Sequence, residues 1–450
     1  MSCFKLKCIE MSYRPPENII NVLQKIEYEE ALSCDDPRYV DTTEARGSQR
    51  TLDRLARKFG LLLRTGDFFA PSQKHVLFFG HVGSGKTTEL RHYAKILNGA
   101  DRFLVIEVDI TVALDRNNLK YADTLMAMAH ALLNKLSEKN ISVDTLALKQ
   151  MENWFAERVM TAEELKQFAL DIKSGAKIET GIPGLLKYFT SFTASFKTNT
   201  TYKESLRRVI RNSFAEFAIA FNDLLRSAEQ SLGEKGIAKR VLFVIDGTDK
   251  LRGEDTRDFF VHDAEQLLTI AGLVIYTAPL SLKYESNLAG KLDSDLVLPM
   301  IKLYELNNNA RWPSGWQAMR EILLLRADRS LFASDTEIDS LIEHSGGHPR
   351  EILRLLKLCC EFSEQNSIDH ATVELAVNQL ASEYRRFLEP QDYQLLKCID
   401  QDKIHSGNDE RTKKLLYNLA LLEYNDGSWR RSHPVVRRLE GYRLADPAAG

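Results

Sequence analysis

The octapeptide Gly80-His81-Val82-Gly83-Ser84-Gly85-Lys86-Thr87 constrains this chain more than any other stretch of it. It fits G-x-x-x-x-G-K-[ST] and follows the apolar run Val76-Leu77-Phe78-Phe79, which reads as a buried strand. A strand that feeds a glycine-rich loop, which then opens a helix at Thr88-Glu89-Leu90-Arg91, gathers backbone N–H groups and a helix N-terminus around an anion. The spacing gives the N–H groups from Val82 through Gly83, Ser84, Gly85 and Lys86 to Thr87 to nucleotide phosphates, with Gly80 and Thr88 flanking them. Lys86 is placed to reach the β and γ oxygens, and the Thr87 hydroxyl to ligate Mg²⁺.

At 450 residues the chain exceeds one ordinary core, so two or three domains are expected. A net charge of −3 gives no whole-chain footprint for nucleic acid or membrane, and any such surface must be local. Cys3, Cys8, Cys34, Cys359, Cys360 and Cys398 form neither a metal knuckle nor a paired framework, and a reducing cytoplasm is the simplest reading. Met1 to Glu10 carries Lys5, Lys7 and Glu10, unlike a secretory leader. The stretch Leu185 to Phe196 is too short to span a bilayer; its Leu185, Phe189, Phe192 and Phe196 stripe reads as core, with burial in a partner as the rival.

Residues 1–45 read as a polar lead-in of irregular arms and a short helix, and a helical pattern begins at Ser48. A second strand, Phe103 to Val108, ends in Asp109 and completes a β-loop-α-β unit, which implies a parallel sheet. From about Leu114 to Lys239 the patterns are helical, including one stripe over 204–232 that would make a helix roughly 43 Å long. A helical insertion of that kind reads equally as a partner or sensor surface and as a packing layer over the sheet. Strands resume at Val241-Leu242-Phe243-Val244-Ile245, Leu273-Val274-Ile275-Tyr276 and Leu296-Val297-Leu298. The chain then reads as helical from Asn308 to Tyr384. After Pro390 come a helix at Tyr393–Ile399, a second at Lys413–Leu422, and a hairpin turn at Asn425-Asp426-Gly427, the outline of a winged helix. The domains expected are 1–45, a lead-in; 46–305, an α/β P-loop core with the insertion; 306–388, a helical lid; and 389–450, the winged helix.

The strand ending in Asp246 delivers a carboxylate to the edge of a parallel sheet where phosphates bind, so Asp246 is the Mg²⁺ ligand expected alongside Thr87. Hydrolysis needs a further group to orient or deprotonate water. Gly247 stands where many relatives of such a fold place Glu, and Asp249 is the next carboxylate available.

In these residues the chain resembles an ATPase of the AAA+/STAND group, which includes NACHT and NB-ARC switches, in a stand-alone prokaryotic form. Asp246-Gly247-Thr248-Asp249 is similar to the NACHT second motif, although Lys250 replaces a further acid. Ser345-Gly346-Gly347-His348-Pro349-Arg350 resembles the glycine-x-proline lid motif, which implies that Pro349 lies against the nucleotide. It equally resembles the sensor-2 helix of origin-recognition ATPases, which implies that Arg350 touches the γ-phosphate. His433 sits after the hairpin where STAND proteins carry a phosphate-sensing histidine. At the first sensor position the chain departs from the pattern, offering only the Thr277 hydroxyl. The resemblance covers about residues 46–113 and 240–445.

The resemblance implies an ATP- and Mg²⁺-binding switch with slow turnover, homo-oligomeric in one nucleotide state. No nuclease, protease or repeat-sensor signature accompanies it, so it would act on a separate effector protein, as such ATPases do in bacterial conflict systems such as phage defence. Two alternatives stand beside this. Arg430, Arg431, Arg437, Arg438 and Arg443 around the wing would suit a DNA-associated loader, against a solvated basic rim. The Gly after Asp246 would suit a scaffold that binds nucleotide without hydrolysing it.

Overall fold

The computed structural model describes residues 13–110, 120–158, 182, 185–186, 200–251, 254–285, 288, 292–404 and 407–446. They fall into two compact units, one of residues 50–80 and 89–297, the other of residues 13–49, 81–88 and 298–446.

The first unit is built on a five-stranded sheet. Its strands are β1 (Lys74–Gly80), β2 (Phe103–Asp109), β3 (Arg240–Asp246), β4 (Leu273–Pro279) and β5 (Asp293–Val297), in the order β2-β3-β4-β1-β5. Every pairing is parallel. The near-continuous apolar runs follow from this, because a parallel sheet is buried on both faces. β1 is interior and pairs with β4 from Lys74↔Leu273 to Gly80↔Pro279. β3 lies beside β2, and Asp109 is the register partner of Asp246. Strand β5 begins at Asp293, earlier than its apolar residues suggest. It is an edge strand whose first carboxylate is held by Lys58 and Lys74, both at 2.7 Å, so polar residues enter the ladder through tertiary ion pairs.

Helices α3 (Thr51–Lys58) and α4 (Lys86–Leu97) flank β1 in sequence, and the insertion contributes α5 (Tyr121–Glu138), α6 (Thr145–Arg158), α7 (Thr200–Asn212) and α8 (Phe214–Glu234). The single helix expected over 204–232 is therefore two. Ser213 stands between them, its hydroxyl donating back to the Val209 carbonyl at 2.8 Å, a bond that bends helices. Trp154 of α6 meets Phe217 of α8 edge-on at 4.9 Å, and Arg207 of α7 is ion-paired with Asp123 of α5, both buried. Leu185 is buried, whereas Phe189, Phe192 and Phe196 lie outside the described residues, as do Cys3, Cys8 and the first ten residues.

In the second unit the lead-in forms α1 (Ile19–Lys25) and α2 (Thr43–Arg46). The expected boundary at residue 45 thus falls inside a helix. Four longer helices follow, α9 (Pro313–Leu324), α10 (Asp335–Ser345), α11 (Pro349–Phe362) and α12 (His370–Arg385). The lead-in is bonded to the connections between them: the Asp328 amide donates to the Pro16 carbonyl at 2.8 Å and the Ile19 amide to Asn366 Oδ1 at 2.8 Å. The chain closes with α13 (Pro390–Gln401), α14 (Glu410–Tyr417), the antiparallel pair β6 (Leu421–Tyr424) and β7 (Trp429–Ser432), and α15 (Glu440–Leu444). Helix α14 ends earlier than expected, because Leu419 turns left-handed at φ 62° and Leu421–Tyr424 pair with β7 instead. Asn425, Asp426 and Gly427 all take positive φ in the turn, and Tyr424 stacks on Trp429 at 4.2 Å. Among the described residues no helix is long and apolar enough to cross a membrane, and Cys34, Cys359, Cys360 and Cys398 are thiols.

Candidate phosphate-binding site

β1 ends at Gly80, and the loop that follows turns on two left-handed glycines, Gly83 at φ 83° and Gly85 at φ 97°. Side chains are strained at such angles, and here they allow successive amides to converge into an anion nest. The Ser84 amide donates to the His81 carbonyl at 3.1 Å, which tightens the turn. Ser84 is fully buried and its hydroxyl has no hydrogen-bond partner. Lys86 opens α4, and its buried Nζ donates to the His81 carbonyl at 2.8 Å. Thr87 follows in the first turn of α4, and the Thr88 hydroxyl accepts the amide of Leu32 at 3.2 Å.

Two segments of the same unit meet this loop. Gly346 caps α10 in the left-handed conformation, the ordinary way to end a helix. Gly347 lies so close to the Ile301 carbonyl that a Cβ would sit 1.9 Å from its oxygen. The double glycine is thus both a cap and a close approach. Helix α11 then starts with His348 as its N-cap and Pro349 at its first turn. His348 Nε2 donates to the Val82 carbonyl at 3.0 Å while its Nδ1 accepts the Glu351 amide at 3.2 Å, which fixes one neutral tautomer. Burial, reinforced by the charge of Arg350, pushes its pKa well below the ordinary histidine value. The Arg350 side chain lies over Gly83, where a Cβ would come within 2.6 Å of its Nε, and that Nε has no hydrogen-bond partner.

His433 is buried and stacked on Tyr384 at 4.9 Å. Its Nε2 lies 4.0 Å from Glu351 Oε2, and Tyr384 donates to the same carboxylate at 3.3 Å. The imidazole that joins the hairpin to the loop is that of His81, whose Nε2 accepts the Glu423 amide at 2.9 Å. Burial, with Lys86 nearby, holds the His81 pKa down at about 3.

In the other unit, Asp246 is buried at the end of β3. Gly247 adopts φ 88° and opens a 3-10 turn through Thr248 and Asp249, so a non-glycine residue after Asp246 would be strained here. Asp249 and Thr277, both buried, are brought together: the Thr277 hydroxyl donates to Asp249 Oδ1 at 3.3 Å. Thr248 Oγ1 donates to the Thr277 carbonyl, which locks the turn to β4.

Three contacts escaped the sequence reading. Arg46 lies 2 % exposed, and its guanidinium donates to the Ser84 carbonyl at 2.7 Å. His81 and His348 are the other two. His81 and His348 stand inside motifs already singled out, whereas Arg46 carries no signal, since an arginine in a polar lead-in is ordinarily solvated. The basic rim also differs from expectation. Arg430 is buried against Glu423 at 2.9 Å and Arg438 is paired with Glu374 at 2.5 Å; Arg431 lies over the Tyr304 ring, Arg437 is half-buried, and Arg443 is exposed.

The residues fit the groups expected of them. A loop of left-handed glycines, the Lys86 amine and the Arg350 guanidinium, whose Nε is buried without a hydrogen-bond partner, suit a polyphosphate. Thr87 in the one unit and Asp246 in the other each carry an oxygen of the kind Mg²⁺ takes. Among the described residues no three His, Cys, Asp or Glu side chains form a metal cage.

No protein-family model matches the chain, and no curated protein matches it. Among solved structures the chain shows similarity at low identity and low TM-score. A Walker-type ATPase of Pyrococcus abyssi has 12 % identity and a TM-score of 0.42, covering 93 % of this chain and 100 % of its own. RuvB of Thermotoga maritima has 13 % identity and a TM-score of 0.34, covering 92 % and 98 %. Cdc6 of Pyrobaculum aerophilum has 13 % identity and a TM-score of 0.35, covering 86 % and 83 %.

Proposed function

We propose that the chain binds ATP with Mg²⁺ on the loop 81–88 and works as a nucleotide-dependent switch, a P-loop ATPase of the AAA+/STAND kind. The observation that carries this reading is the guanidinium of Arg350 lying over Gly83, a second cation brought to the phosphate loop from a helix far away in sequence. Lys86 and Arg350 would bind phosphate oxygens, and the sequence motifs assign Thr87 and Asp246 as the residues that would hold the metal. Mg²⁺, when bound, neutralises charge on the β and γ oxygens. Asp249, its carboxylate oriented by the Thr277 hydroxyl, positions the attacking water. Pro349 fixes the first turn of the helix that carries Arg350.

The lid helix and the winged helix both bond the loop, through His348 and His81, so a change in loop occupancy is felt in both. A charge-assisted bond of roughly 1.5–3 kcal/mol made in only one state shifts a closed-to-open ratio about tenfold to a hundredfold. The output is assembly into a homo-oligomer or engagement of a separate effector protein, in a bacterial conflict system. The left-handed Gly247 favours slow turnover, because it removes the position where an acid would directly follow Asp246. The DNA-loader reading has less support, since Arg430 and Arg438 are already paired with carboxylates.

Small-angle scattering with ATP and with ADP tests the reading. The wild type should change shape or oligomeric state, and Arg350→Ala should bind ATP but lose the change. An identical wild-type profile in both nucleotides would sink the switch, and a turnover assay separates a slow ATPase from a non-hydrolysing scaffold.

A further inference from the structure

An anion nest has two faces. Its amides converge on the ligand, so its carbonyls turn elsewhere, and each buried one needs a donor. In this loop those donors are side chains from three parts of the chain. The His81 carbonyl takes Lys86 Nζ at 2.8 Å, the Val82 carbonyl takes His348 Nε2 at 3.0 Å, and the Ser84 carbonyl takes Arg46 Nη2 at 2.7 Å.

Arg46 does more than supply one donor. Its Nε donates to the Thr42 hydroxyl at 2.7 Å and its Nη1 to the Pro299 carbonyl at 2.6 Å. One planar fork therefore joins α2, the phosphate loop and the start of the segment leading to α9. A guanidinium has fixed spacing between its donors, so the three acceptors are held at fixed separations, which a flexible ammonium cannot do. The same Nη2 comes within 3.4 Å of where a Cβ on Gly85 would be, so the cation lies against the backbone at the left-handed turn of the loop.

We propose that Arg46 is a positioning residue that pre-forms the phosphate nest by holding the Ser84 carbonyl, acting through the loop and never on the phosphates. This rests on the reading that ATP binds on this loop. Residues 13–49 of the lead-in thereby set the shape of the site as well as packing on the lid.

The test uses the full chain, with Arg46→Lys and Arg46→Met, and Thr42→Val as a milder variant that keeps the guanidinium but removes the acceptor of its Nε. Two measurements are made on each: amide hydrogen exchange of residues 82–87 without nucleotide, and calorimetric affinity for Mg²⁺·ATP. The expectation is faster exchange at those amides in both Arg46 variants and an ATP affinity weakened about tenfold to a hundredfold, with Arg46→Lys milder than Arg46→Met and Thr42→Val milder still. A residue that only stabilised the fold would lower the melting temperature while leaving loop protection and ATP affinity of the folded protein within twofold of wild type; that outcome overturns the proposal. The exchange measurement needs no nucleotide, so it judges Arg46 even if the wild type binds no ATP, which would instead overturn the ATP reading. If Arg46→Met does not fold, Arg46→Lys and Thr42→Val decide.

Discussion

The amide of Glu423, in the middle of strand β6, donates to the ring nitrogen Nε2 of His81, inside the phosphate loop, at 2.9 Å. His81 also accepts Lys86 Nζ on its carbonyl. On the proposed reading Lys86 would leave that carbonyl to reach bound phosphates, and His81 would then join nucleotide occupancy to the position of the hairpin. His81→Ala removes the acceptor of a buried amide, a loss of roughly 1–3 kcal/mol. Exchange of the Glu423 amide should accelerate in this variant and become insensitive to ATP. Unchanged protection would show that the hairpin is held by other contacts.

Lys86→Ala should abolish nucleotide binding, because it removes the side-chain cation that reaches the β and γ phosphates. Calorimetry on the folded variant measures it. Wild-type affinity in that variant would remove the phosphate-loop assignment.

Gly83 serves two constraints at once, a backbone φ of 83° and the presence of Arg350 on its surface. Gly83→Ala should lose about 1–2 kcal/mol from left-handed strain alone. It should also push the Arg350 guanidinium aside and reproduce the Arg350→Ala defect in the nucleotide-dependent shape change. Chemical denaturation and scattering measure the two effects separately, and a variant that is destabilised yet still switches would place the sensing elsewhere than Arg350.

The two aspartates should separate. Asp246→Ala should weaken Mg²⁺-dependent nucleotide binding, whereas Asp249→Asn should retain ATP and slow its turnover on the order of a hundredfold or more. Turnover at the wild-type rate in Asp249→Asn would show that its bond to Thr277 is structural only.

The buried histidines make stability fall in acid. An unfolded histidine has a pKa near 6.5, while folded His81 has one of about 3 and burial carries His433 well below its ordinary value. Between those limits the unfolded chain binds more protons, so the contribution is fully present above pH 6.5 and is lost progressively as pH falls towards the folded values. Each such histidine contributes a slope of about 1.4 kcal/mol per pH unit below 6.5. His433 faces Glu351 and Tyr384, with Arg437, His344, Arg354 and His81 around it. His433→Phe can keep the stack on Tyr384 while deleting the protonation site. Its unfolding free energy, measured from pH 7.5 to 5, should therefore decline less steeply than that of the wild type, and parallel curves would refute a buried neutral His433.

The octapeptide, the strand before it and the acidic end of β3 were legible in the sequence, because each depends on residues adjacent in the chain. A glycine needed at positive φ and a buried parallel strand leave local marks. The helix termini moved by a few residues for tertiary reasons: Leu421–Tyr424 became a strand because β7 was there to pair with, and Asp293 entered β5 because Lys58 and Lys74 neutralise it. What the tertiary structure decided is who satisfies the loop's carbonyls and its one bonded imidazole. Arg46, His348 and the Glu423 amide lie far from residues 81–88 in sequence; the motif around His348 pointed to the nucleotide but not to this bond, and nothing around Arg46 or Glu423 announces the role. A hydrogen bond between such partners exists only once folding has closed the intervening chain, so a reading of local pattern finds the phosphate loop and misses what holds it in shape.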